Sequence, residues 1–341
     1  MVLVLALGLA ACSGDDDGAE GGDGGDSSED ASGEEAAVPE GPSIRMISLN
    51  QLHGVTECGA ESTEWCQAAD RMSILFQLIE DAGCPELVGL TEVAEEVQGQ
   101  LLPERLPDLC EGSYELLYEP TNPADAAMIL TSLPIVESQV VDTAGPPWEA
   151  HWAQVESDLG PIDFLMTHFA SSSFNPPCDA EICPPICETG VELGTCNAVE
   201  VVDFLEQNAD PEGIAVIAGD LNQTIDNSRL APIVDAGYQD VWTLAGNPEC
   251  DPATGEGCTC CVAGDRVLDG LDAPDVTFDE RIDFILARPP EGCELEADTP
   301  DDANGNGTST GIFAGTPADP PVNGIYWPAD HAGVQAELFC A

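Results

Sequence analysis

The chain has 341 residues, enough for one large α/β domain with long loops or for two smaller domains. Its charge is extreme: 65 acidic residues face 7 basic ones, all arginine, for a formal net charge of -58. Such a surface is heavily solvated and repels polyanions unless cations intervene, and it excludes a basic stripe of the kind that grips nucleic acid by replacing condensed counterions.

Residues 1–11 form an apolar run too short to cross a membrane and of the length of a signal-peptide core, although no basic residue precedes it. Leu9-Ala10-Ala11-Cys12 resembles the bacterial lipobox, in which the signal is cut before a cysteine that is then lipidated. The segment that follows, to residue 41, is almost entirely Gly, Ser, Asp, Glu and Ala, an acidic tether expected to be disordered. These features predict an exported monomer, anchored through lipid at Cys12 to the bacterial cell envelope on its periplasmic or outer face, with one folded domain over 42–341. Of the 15 cysteines, setting Cys12 aside leaves an even number, which in an exported chain reads as disulfides. Two groups stand out, Cys178, Cys183, Cys187 and Cys196 in one insert and Cys250, Cys258, Cys260 and Cys261 in another. Zinc is the alternative for either, but neither has two clean C-x-x-C pairs.

Within the domain, IRMISLN at 44–50 predicts a strand ending in a polar residue. The stretch 68–81 carries Met72, Leu75, Phe76 and Ile79 at helical spacing, with Gly83 as a stop. ELVGLTEV then predicts a strand releasing Glu92, and further strands are expected at 114–118, 126–132, 134–141, 151–157 and 162–169. So many strands without intervening helices argue against a purely parallel sheet. A helix is expected at 193–208, a strand at 215–220, a short helix at 229–236, and strands at 281–287 and 331–339. No internal repeat is visible, and the loops 171–196 and 245–278 are long enough to be functional or pinned by bridges.

AVIAGDLNQT at 215–224 ends a buried-looking strand on Asp220 and Asn222, which is either turn chemistry or a site. Other strand ends release Asn50, Glu92, His168 and the pair Asp330-His331, and Asp283 lies within a strand. In α/β sheets such ends converge on one crevice. Carboxylate and amide oxygens suit a hard divalent cation, and histidines held by acids can move protons or stabilise phosphate charge.

IRMISLN, LVGLTEV, MTHFA, VIAGDLNQT, ERIDFIL and PADHAGV resemble, in order and spacing, the motif series of the endonuclease/exonuclease/phosphatase superfamily. The resemblance covers residues 43–341 and implies a four-layered α/β/β/α sandwich of the deoxyribonuclease I type, its loops here stabilised by disulfides. It implies Mg2+ or Mn2+ at Glu92, with Asn50 and Asp330 near the metal. Asp220 and Asn222 would orient water or phosphate, Asp283 would hold His331, and His168 would lie across the phosphate. Whether Asp220 or His331 is the base stays open. Leu133 stands where the family usually has arginine, Ala329 where it often has serine, and the insert after His168 is without counterpart in its small members.

His53 and His151 lack such motif support, and His151 reads as a hydrogen-bonded strand residue. Asp302, Asn304 and Asn306 match the first half of a calcium loop, but Phe313 stands where its closing Glu belongs, so a plain surface loop competes with a Ca2+ site. The expected activity is hydrolysis of a phosphoester outside the cytoplasm, nuclease-like on nucleic acid. The alternatives are a phospholipid or sphingomyelin head group, a small phosphorylated metabolite, and a surface lipoprotein that binds without turnover.

Overall fold

The central strands of both sheets are buried on both faces, which decides the architecture. The computed structural model describes residues 41–52, 64–122, 125–145, 149–171, 175–179, 181, 183–262, 270–298 and 310–341. In chain order the first half runs β1 (Ser43–Asn50), α1 (Glu64–Asp81), β2 (Leu87–Val93), α2 (Gln98–Arg105), β3 (Glu115–Leu117), β4 (Ala126–Thr131), β5 (Ile135–Asp142) and β6 (Glu149–Ser157). The second runs β7 (Gly160–His168), α3 (Leu193–Asn208), β8 (Ile214–Asp220), α4 (Ala231–Asp235), β9 (Gln239–Asp240), α5 (Val241–Leu244), β10 (Asp283–Arg288), β11 (Leu295–Ala297), β12 (Gly311–Phe313) and β13 (Gly333–Cys340).

The strands form two mixed sheets. One has the order β11-β13-β1-β2-β4-β3, with β12 also on β13, and the other the order β5-β6-β7-β8-β10-β9. In each, one pair is parallel, β1 with β2 and β7 with β8, and their neighbours run antiparallel. A parallel pair needs a long crossover, and α1 and α3 supply the two. Ile44, Met46, Leu87 and Ile129 of the first sheet meet Phe164, Met166, Val216 and Ile285 of the second in the core between the sheets. The opposite faces are covered by helices. Met72, Leu75, Phe76 and Ile79 of α1 pack on Ile47, Leu49, Val88 and Leu90. Ala198, Val201 and Leu205 of α3 pack on Leu165, Ile217 and Leu286. Each of the larger apolar side chains among them, once fully buried, contributes roughly 1.5–3 kcal/mol. The result is four layers, α/β/β/α.

The sheets approach closely at Gly89, where a Cβ would lie 2.5 Å from Met166 Sδ. Among the described residues the cysteines pair as Cys84–Cys110, Cys178–Cys183, Cys187–Cys196, Cys250–Cys258, Cys260–Cys261 and Cys293–Cys340, and Cys66 is also disulfide-bonded. Both cysteine groups are therefore closed by bridges rather than by zinc. Two elements differ from expectation near the site. Asp283 opens β10 instead of lying within it, because its pairing with Asp220 is the last rung of the β8–β10 ladder. His331 sits in the turn before β13, which begins at Gly333. No described helix is long and apolar enough to cross a membrane.

Candidate active site

Each polar residue released at a strand end continues the face that builds the core between the sheets. Ile44 and Met46 lead along β1 to Asn50, Phe164 and Met166 along β7 to His168, and Val216 and Ala218 along β8 to Asp220. Ile285 and Ala287 do the same for Asp283 at the opposite end of β10. Side chains two apart share a face, so the pattern that packs the core also aims these groups into one crevice at its rim. Register brings them level, with His168 opposite Asp220 and Asp220 opposite Asp283.

Glu92 breaks the alternation. Leu90 faces α1, so an unbroken strand would send Glu92 the same way. The β2–β4 register instead shifts between Leu90 and Val93, and Glu92 takes a left-handed φ of 53°. This bulge re-aims the carboxylate into the crevice, a common use of bulges beside active sites. Asn50 Nδ2 then donates to Glu92 Oε1 at 3.0 Å and to Asp220 Oδ2 at 3.1 Å. Leu52 N donates to Asn50 Oδ1 at 3.1 Å, which fixes the amide's orientation.

Asp220 is the hub. Its Oδ2 lies 3.6 Å from His168 Nε2 and 3.9 Å from His331 Nε2. His331 Nδ1 meets Asp283 Oδ2 at 2.9 Å, and His168 Nδ1 meets Asp125 Oδ2 at 3.3 Å. Asn222 lies beyond the end of β8 in a left-handed conformation at φ 54°. Its backbone N donates to Asp220 Oδ1 at 2.8 Å and its Nδ2 to Phe169 O at 3.0 Å, so it pins Asp220 to the end of β7. The turn reading of AVIAGDLNQT holds, and the turn leaves Asp220 facing Asn50, His168 and His331.

The surrounding carboxylates favour the charged form of both histidines. Burial alone would lower His168, but the carboxylates of Asp125, Asp220 and Glu92 override it and raise the imidazole to about 10. Burial likewise opposes charge on His331, yet Asp283, with Asp220 and Asp330, holds it well above the ordinary histidine value. Burial pushes the Asp283 carboxyl up to about 6 against the pull of His331.

Five carboxylates, Glu92, Asp125, Asp220, Asp283 and Asp330, share the region with two histidines. The excess of negative charge and the hard oxygen donors fit a divalent cation on the side of Glu92 and Asp220. Asp220, Asp283 and His331 also offer atoms within 4.8 Å of one another. Asn50 presents its amide nitrogen to the carboxylates, so in this arrangement it bridges them rather than lending an oxygen to the ion. Asp330 is half-buried directly ahead of His331, and its backbone O accepts from Val262 N at 2.7 Å.

Three neighbours escape a reading of motifs. Asp125 stands immediately before β4 and holds His168, and only its place at a strand start marks it. Thr259 and Cys261 come from the second cysteine insert, and Cys261 Sγ lies 3.6 Å from His331 Nε2. His151 is a buried residue of β6, its charged form disfavoured first by burial. His53, Cys12 and the candidate calcium loop of Asp302, Asn304 and Asn306 lie outside the described residues.

Two mixed sheets packed face to face between helices define the deoxyribonuclease I-like α/β/β/α fold. The chain shares it with TDP2 of D. rerio, solved with single-strand DNA product, at a TM-score of 0.59 and 18% identity over 87% of this chain and 99% of that one. An endonuclease/exonuclease/phosphatase from Bacteroides vulgatus gives 0.58 and 17% over 88% and 99%, and a mannosyl-6-phosphatase of Bacteroides thetaiotaomicron 0.55 and 16% over 87% and 99%. No protein-family model and no curated protein matches the chain.

Proposed function

We propose that the protein is a divalent-metal-dependent phosphoester hydrolase, a nuclease-like phosphodiesterase acting outside the cytoplasm. The observation that carries this is the crevice itself, where Asn50 ties Glu92 to Asp220 while two acid-held histidines point their Nε2 atoms at the same Asp220 oxygen. Structures sharing the fold include one solved with a DNA product and one of a sugar phosphatase, which supports the reaction class.

Glu92 and Asp220 would hold Mg2+ or Mn2+, which when bound supplies charge neutralisation at the phosphate. The protein's own groups do the rest. Asp220, bound by Asn50 and Asn222, would orient the attacking water. His331 and His168, on either side of Asp220, would donate from Nε2 to phosphate oxygens as charge builds up in the in-line displacement.

The described arginines are engaged away from these groups. Arg45 pairs with Glu86, Arg229 with Glu192 and Arg281 with Asp240. Arg71 donates to backbone carbonyls, Arg105 to Ala69 O, and Arg288 stacks on Tyr238. A polyanionic substrate would therefore depend on divalent ions for screening. Export and lipid anchoring at Cys12 are proposed from residues 1–41 of the sequence alone.

Full-length protein with Mg2+ or Mn2+ should hydrolyse members of a panel of bis(p-nitrophenyl) phosphate, DNA, RNA, sphingomyelin and sugar phosphates, and chelation should abolish it. Glu92→Ala and His331→Ala should be inactive on the same substrates. No turnover of any member would overturn the reading and leave a non-catalytic binding protein in its place.

A further inference from the structure

Asp283 meets His331 through Oδ2, while its Oδ1 is buried without a hydrogen-bond partner. A buried carboxylate oxygen calls for a donor. Thr259 is fully buried beside it, and its Oγ1 accepts from Ile282 N at 3.1 Å and from Asp283 N at 3.2 Å. A hydroxyl has two acceptor sites and one proton, so only the proton is uncommitted. Burial raises the Asp283 carboxyl and His331 draws it down, and the nearby Thr259 hydroxyl acts in the same direction as His331 but more weakly.

The strip that carries Thr259 is fastened to both partners of the pair. Thr259 N donates to Glu280 O at 2.8 Å, Ala332 N donates to Thr259 O at 2.8 Å, and Val262 N donates to Asp330 O at 2.7 Å. The Cys250–Cys258 and Cys260–Cys261 bridges flank it on either side.

We propose that Thr259 is a positioning residue for the site: its hydroxyl donates to Asp283 Oδ1, leaving Oδ2 to His331 Nδ1 and so directing His331 Nε2 toward Asp220. The kinetic consequences rest on the phosphoester hydrolase reading; the geometry does not.

Two measurements test this on the full-length protein. In chelator-treated wild type, proton NMR should show a slowly exchanging Thr259 hydroxyl proton and a downfield His331 Nδ1 proton, the latter assigned by its loss in His331→Asn. Thr259→Val should shift or abolish the Nδ1 resonance and lower kcat by about tenfold to a hundredfold at unchanged KM. Thr259→Ser, which keeps the hydroxyl, should restore both. A Thr259→Val protein with unaltered kcat and Nδ1 resonance would overturn the proposal, as would a wild type without a protected hydroxyl proton. Should Thr259→Val fail to fold, the wild-type hydroxyl proton and the Thr259→Ser kinetics decide. Should the wild type turn over no phosphoester, the hydrolase reading falls, and the two resonances still decide on Thr259.

Discussion

One amide nitrogen of Asn50 reaches two carboxylates, Glu92 at 3.0 Å and Asp220 at 3.1 Å. With two protons to give, it offers one to each and holds together groups whose charges repel. Asn50→Ala should lower hydrolysis and weaken apparent Mg2+ affinity by about 10- to 100-fold. Asn50→Asp replaces the donor by a third carboxylate. Its melting temperature without cation should fall below that of wild type, and saturating Mg2+ should recover most of the difference. Thermal melts with and without Mg2+ check this, and equal Mg2+ responses in variant and wild type would count against the bridge.

His331 depends on Asp283 for both its proton and its orientation. Asp283→Asn removes the charge while keeping the shape, so kcat should fall by about 10²- to 10⁴-fold with little change in KM. Steady-state kinetics on a nitrophenyl phosphodiester measure it. A fall in KM affinity alone would mean that the pair serves binding and not the chemical step.

The His168 imidazole stands at about 10 in the folded protein against an ordinary 6.5, so folding retains a proton that the unfolded chain gives up between those values. The stabilisation is complete below about pH 6.5 and is lost as pH rises toward 10. His331, also raised, adds a slope of the same sign. Melts of chelator-treated protein should show stability falling over this window, and His168→Gln should flatten part of the fall. An unaltered slope in the variant would show that the carboxylates around His168 do not hold its proton.

Gly219 adopts a φ of +138°, and a Cβ there would come within 1.7 Å of Thr167 O. The contact is with backbone of the neighbouring strand and cannot be relieved by a rotamer change. Gly219→Ala should destabilise the protein by about 3 kcal/mol or more, at the severe end of single substitutions. Chemical denaturation measures the loss. Activity should fall with it, since Asp220 is the next residue.

How much of this is legible in the sequence depends on how local the cause is. The α1 stripe of Met72, Leu75, Phe76 and Ile79 is buried as its spacing predicts, and α3 occupies 193–208 as read. Strand alternation likewise leads to Asn50, His168 and Asp220. The failures are non-local. α2 contains Pro103 and buries only Gln98 and Leu102, so no periodic pattern marks it. β9, β11 and β12 are two or three residues long and exist through their pairing partners. Asp125 and Thr259 act through contacts with residues far along the chain, which no spacing rule encodes. The bulge at Glu92 is of the same kind: the motif names the residue, but only the register shift shows how an outward position comes to face inward.

The two parallel pairs have a consequence for how the crevice is assembled. β1-α1-β2 and β7-α3-β8 are the same strand-helix-strand unit used twice, one in each sheet, face to face across the core. The unit at the front of the chain delivers Asn50 and Glu92, and its counterpart delivers His168 and Asp220. Neither carries the full set of polar residues, so the crevice exists only where the two units meet. The hydrogen bond from Asn50 to Asp220 crosses that junction and is the place where the halves of the chain are stitched into a single chemical centre.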